Sequence, residues 1–137
     1  MLADVLAVMV LIHVTGPSSG MPTGACFLRI PGRIDGGGSS IYCLKSFRGR
    51  PGPGATVTDT GTMTFSLLRG TITARVEVVQ RFGKDGKRAR QVLHGTVVAG
   101  TRSYRNARGT ISGGGTDVEV APGQIARSDL RYRILLQ

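Results

Sequence analysis

Thr62-Met63-Thr64-Phe65-Ser66-Leu67, a Leu68-Arg69 break, and Gly70-Thr71-Ile72-Thr73-Ala74-Arg75-Val76-Glu77-Val78 alternate residue by residue between apolar and polar side chains. A two-residue period sends successive side chains to opposite faces of an extended chain, so each segment reads as a strand with one buried and one wet face. With a short break at Arg69-Gly70 between them, the two predict an antiparallel hairpin. The same alternation returns near the C-terminus, where Leu130, Tyr132, Ile134 and Leu136 interleave with Arg131, Arg133 and Leu135.

Working outward from these segments, strands are expected over residues 25–30, 40–47, 56–67, 71–81, 89–98, 108–112, 117–121 and 128–136. Gly83-Lys84-Asp85-Gly86 carries a hairpin signal, and Gly113-Gly114-Gly115 reads as a flexible reversal. Many short strands with turns between them and no useful helical run predict an all-β fold. The expected architecture is a single antiparallel up-and-down β-barrel of about eight strands, which removes its own edges by closing. A β-sandwich is the alternative. An eight-stranded barrel is just wide enough to be filled by side chains or to hold one small ligand.

Composition agrees with this reading. The chain has 137 residues, room for one domain, and 21 of them are glycine, which excludes a long helical bundle because an interior glycine costs a helix about 1 kcal/mol relative to alanine. Eighteen Lys+Arg against eight Asp+Glu leave a net charge of +10. Such a surface attracts polyanions without specificity, but no zinc finger, helix-turn-helix or aromatic RNA-binding signature is present, so no specific nucleic-acid partner is expected. A dedicated polyanion-binding role would require Arg88, Arg90, Arg102 and Arg105 to gather on one face. Cys26 and Cys43 form no CxxC pair, and His13 and His94 stand alone in sequence, so no metal site is expected. Exported, the two cysteines suit a disulfide between neighbouring strands; in the cytosol they suit small buried hydrophobes.

Residues 1–25 read apart from the barrel domain expected over 26–137. Residues 2–14 are apolar except for Asp4 and His13 and end at Gly16-Pro17-Ser18-Ser19-Gly20. Thirteen residues are too few to span a bilayer, so no transmembrane span is expected. The run suits an export signal, which favours a secreted protein over a cytoplasmic one, although no Lys or Arg precedes it; the other readings are a first buried strand and a disordered leader.

Val97-Val98-Ala99-Gly100-Thr101-Arg102-Ser103-Tyr104-Arg105-Asn106-Ala107-Arg108-Gly109 resembles the signature of the allene oxide cyclase and dirigent superfamily, in which a strand ends in Gly-Gly-Thr-Gly and an aromatic residue and Ala-Arg-Gly follow. Gly100, Thr101, Tyr104, Ala107, Arg108 and Gly109 match; Ala99 and Arg102 replace two of the glycines. The Gly61–Leu67 and Gly70–Thr73 segments are similar to the preceding hairpin of bacterial members. The resemblance implies a barrel with an apolar lumen and an oligomeric assembly, a dimer or trimer. It further implies a cyclase or isomerase type of activity, if any, working by conformational guidance of an unsaturated substrate, with no cofactor. Restricting a flexible substrate in this way can supply a large part of a barrier without any acid–base motif.

On the lumen reading, Met63, Phe65, Ile72, Val76, Val118, Tyr132 and Ile134 form the wall around a small hydrophobic molecule. Tyr132 is a catalytic candidate because a phenol on an apolar face needs a polar partner, either ligand or protein. His94 is the second, as a possible general base near neutral pH. Arg108 and Tyr104 are braces or ligand contacts. Glu77 and Glu119 fall on polar strand faces, so the alternation supplies no pair of convergent acids. The competing readings are a barrel packed solid, without a ligand, and a polyanion-binding protein.

Overall fold

A computed structural model describes residues 8–19, 28–121 and 124–137. The strands are β1 (Val8–Thr15), β2 (Ser18–Ser19), β3 (Leu28–Ile34), β4 (Ser39–Arg48), β5 (Thr56–Leu67), β6 (Gly70–Phe82), β7 (Arg88–Gly100), β8 (Gly109–Ala121) and β9 (Gln124–Leu136). Each strand from β3 to β9 pairs antiparallel with the next. β1 pairs with both β3 and β9, and the two-residue β2 extends it along β9. The result is a closed antiparallel up-and-down barrel of eight main strands, as the alternation predicts.

The eight strands are not the eight read from the sequence. Val8–Thr15, read either as part of a leader or as a first strand, is β1: it runs beside β9 over eight residue pairs and buries Ile12 and Val14 in the core. The segments expected at 108–112 and 117–121 are one strand, because Gly113-Gly114-Gly115 does not reverse the chain. These glycines keep β8 in register between β7 and β9, with φ of +146° to +157°. A Cβ at Gly114 would lie 1.9 Å from the Gln91 carbonyl oxygen and one at Gly115 2.0 Å from that of Asp129. Only glycine follows this path without a backbone clash.

The inward faces meet in a single main core in which Phe65, Ile72, Leu93, Val97, Ile111 and Ile134 are fully enclosed. The turns behave as their chemistry dictates. In Gly83-Lys84-Asp85-Gly86 the Asp85 carboxylate accepts the Lys87 and Arg88 amides at 2.9 and 3.0 Å, which holds its carboxyl below the ordinary range. The β7–β8 connection contains a turn of 3-10 helix at Arg102–Tyr104. Thr101 ties it to Thr71, and the Ser103 amide donates to Arg69 O, so it is bound to the β5–β6 turn. Arg102, standing where the signature has glycine, adopts φ +52°. On the outer surface His13 joins three elements: Nδ1 lies 2.7 Å from Asp35 in the β3–β4 turn and Nε2 2.7 Å from Asp129 on β9.

Cys43 on β4 is disulfide-bonded, and Cys26 lies outside the described residues. No helix among the described residues is long and apolar enough to cross a membrane.

Candidate functional site

Half of the barrel interior is packed solid and the other half is not. Around Phe65, Ile72, Leu93, Ile111 and Ile134 side chains fill the lumen. Beyond them, β4 together with parts of β1, β5, β6, β7, β8 and β9 lines a cavity of about 300 Å³. That is the low end of the range for small-molecule sites. Val14, Leu44, Val57, Met63, Val78 and Leu130 give it an apolar wall, and Phe47 and Pro51 stand at the β4–β5 side. The Phe65 ring packs against Tyr132 with centroids 5.9 Å apart and so supports the inner end.

Several polar groups in this wall are tied to one another. Tyr132 donates its hydroxyl to Gln91 Oε1 at 2.5 Å. Gln91 Nε2 donates to Asp117 Oδ2 at 3.1 Å, and Gln80 Nε2 approaches the same oxygen at 3.4 Å. Ser128 Oγ donates to Asp117 Oδ1 at 2.8 Å. Asp117 is fully buried, and burial raises its carboxyl against the opposing pull of these three donors. The Tyr132 phenol is raised by burial, then by Asp117 and Tyr42.

Tyr42 and Asp59 stand outside this network. Tyr42 is only 8% exposed, and its buried hydroxyl has no hydrogen-bond partner among the described residues. Its ring lies over Gly61, where a Cβ would come within 2.5 Å of Cε1. Asp59 lines the same cavity, and burial pushes its carboxyl up to about 6. The Tyr42 phenol is raised first by its own burial and second by the charge of Asp59. An unsatisfied buried hydroxyl and a desolvated carboxyl both carry a free-energy cost that a bound molecule would relieve.

Of the residues singled out from the sequence, Met63 and Tyr132 line the cavity. Phe65, Ile72, Val76 and Ile134 point inward but belong to the packed half or its border, outside the cavity lining. Val118 faces outward, into a shallow groove with Arg88, Thr116 and Arg127; its neighbours Asp117 and Glu119 take the cavity side. Glu119 is therefore not on the solvated face its strand pattern suggests; it lines the same cavity as Asp59 and Asp117. His94 lies on the outer wall, largely exposed, 3.3 Å from Glu77 and away from the cavity. Arg108 Nη1 donates to the Ala107 carbonyl at 2.7 Å, and Tyr104 packs against the core, so both brace the β7–β8 connection.

Sequence reasoning missed Tyr42, Asp59, Gln80, Gln91 and Asp117. Their neighbours held a signal: in Thr58-Asp59-Thr60-Gly61-Thr62-Met63, strict alternation backward from Met63 puts Asp59 on the Met63 face. Arg88 and Arg90 lie at the start of β7, whereas Arg102 and Arg105 follow its far end, so these four do not gather at one end of the barrel. Among the described residues no group of three or more His, Cys, Asp or Glu is placed to hold a metal ion. No protein-family model, curated protein or solved structure matches the chain.

Proposed function

We propose that the protein is a small-molecule-binding barrel that holds a mostly apolar ligand in the cavity beside Tyr42, Asp59 and Tyr132. The observation that carries this reading is the unsatisfied Tyr42 hydroxyl in a cavity of about 300 Å³ that the barrel's side chains leave unfilled. A barrel selected only for stability would fill such a space or pair such a group. The resemblance of Val97–Gly109 to the allene oxide cyclase and dirigent signature favours, as a second step, conformational guidance of the cyclisation or coupling of an unsaturated substrate. In that case the apolar wall holds the chain in a reactive fold, and Tyr42 and Asp59 hold its polar end. An oligomer, dimer or trimer, and export from the cell complete the proposal.

Native mass spectrometry of the protein purified gently from its own source tests the first step. An excess mass of a few hundred daltons per subunit, released on denaturation, is the expected result. A clean apo mass from every source and buffer would count against a resident ligand. For the second step, the released compound is supplied to the protein and its rearranged product is sought.

A further inference from the structure

The charge of this protein is segregated. Its net charge is +10, with 18 Lys+Arg, yet among the described residues no lysine or arginine lines the cavity. Three of its eight acids do: Asp59, Asp117 and Glu119. The cavity also presents three aromatic rings, those of Tyr42, Phe47 and Tyr132. Independently of the acids, the enclosed Tyr42 hydroxyl lacks a partner.

This combination discriminates among ligand head groups. A carboxylate or phosphate would meet Asp59 with no lysine or arginine among the described lining residues to offset it, so an anionic head is repelled. A neutral head could satisfy Tyr42 but would leave Asp59 desolvated and uncompensated. An ammonium group answers both: it pairs with the Asp59 carboxylate, donates to the Tyr42 oxygen, and is attracted to the faces of the aromatic rings.

Building on the ligand-barrel reading above, we propose that the cavity takes an organic cation, a molecule with one protonated amine beside Asp59 and a hydrocarbon body against the apolar wall. Asp117 is already held by Ser128, Gln80 and Gln91 in the wall, which leaves Asp59 to meet the amine. Adsorption on the outside cannot imitate this preference, because the positive surface repels cations.

The test is calorimetric titration of the full chain at pH 7.5 with octylammonium, 1-octanol and octanoate, which share a tail and differ only in the head. Octylammonium is expected to bind about tenfold or more tighter than octanol, and octanoate weakest. Asp59→Asn should abolish the preference of octylammonium over octanol. The wild-type chain at pH 5 gives a second readout that needs no variant. The polar groups lining the cavity with Asp59 are Ser40, Tyr42, Gln80, Gln91, Asp117, Glu119 and Tyr132, and protonation of Asp59 removes the charge that pairs with the amine, so the preference should shrink. Octanol binding as tightly as octylammonium, or a preference that survives in Asp59→Asn, would overturn the cation proposal and leave the ligand barrel standing. Absence of binding by all three would overturn both.

Discussion

Tyr132 on β9 and Gln91 on β7 are hydrogen-bonded to each other across an intervening strand. What lies between them is β8 at Gly113, paired with Tyr132, and Gly115, paired with Gln91. Neither has a side chain to obstruct the contact. The bond continues through Gln91 to Asp117, so one chain of polar groups links three strands beneath the cavity.

Tyr132→Phe cuts this chain and leaves Gln91 Oε1 buried without its donor. The expected loss is about 1–3 kcal/mol of folding stability with the barrel intact. Urea unfolding together with far-ultraviolet circular dichroism checks both parts.

Gly114→Ala tests the bare strand itself. A Cβ there would fall 1.9 Å from the Gln91 carbonyl oxygen at a φ of +157°, and the cost should be at least about 3 kcal/mol. Failure to yield a soluble, cooperatively folding barrel is the expected outcome. A variant as stable as the parent would show that β8 follows a different path.

Gly61→Ala acts on the site rather than the wall. The new methyl group would press on the Tyr42 ring at 2.5 Å and on the Cys43 carbonyl oxygen at 2.5 Å. Displacing the ring should cost about 1–3 kcal/mol and weaken ligand binding together with it. Parallel titration and thermal melting separate these two effects.

Asp59 sets a pH dependence whose sign is opposite to that of an ion-paired carboxylate. Its folded carboxyl titrates near 6 against 3.8 for the free side chain, so between these values the folded state binds the extra proton. Its stabilising contribution is present below pH 3.8 and is lost as the pH rises to about 6. Asp59→Asn should flatten the melting temperature across that window and raise it at pH 7.5, since a desolvated charge is removed. A variant less stable than the parent at pH 7.5 would mean that the carboxylate has a partner in the empty protein.

How much of this was legible in the sequence depends on where side chains speak. The β5–β6 hairpin was plain because Met63, Phe65, Ile72 and Val76 report the period directly. In β8 the period falls silent over Gly113–Gly115, and three glycines in a row have low strand propensity, so the stretch reads as a turn although neighbouring strands hold it extended. With the phase lost there, Val118 was placed inside and Asp117 overlooked, the reverse of what the structure shows. Asp59, Gln80 and Gln91 were hidden for a different reason: polarity argues for solvent, and only the closed end-to-end geometry of the barrel brings these inward positions around one space. The apolar N-terminal run was ambiguous because a hydrophobic strand and an export signal obey the same composition rule.

Removing residues 1–25 takes away β1 and β2 and leaves β3 and β9 as open edges. Residues 26–137 alone are expected to aggregate or to form a loose state without a cooperative melt, as seen by size-exclusion chromatography and calorimetry. A monomeric, cooperatively melting fragment would show that the ring can close without β1.

The pairing of β1 is lopsided: among the described residues eight pairs join it to β9, but two, Val14–Ile34 and Thr15–Arg33, join it to β3, with the Asp35 amide donating to His13 O beside them. Every other junction in the ring carries six pairs or more. Thermal fluctuation will therefore part the cylinder first along this seam, and amide hydrogens at the β1–β3 junction should exchange well before those of β5 and β6. Because Val14 also belongs to the cavity wall, each such opening loosens the binding space from the side, and a guest lodged there would slow the exchange by holding the seam shut.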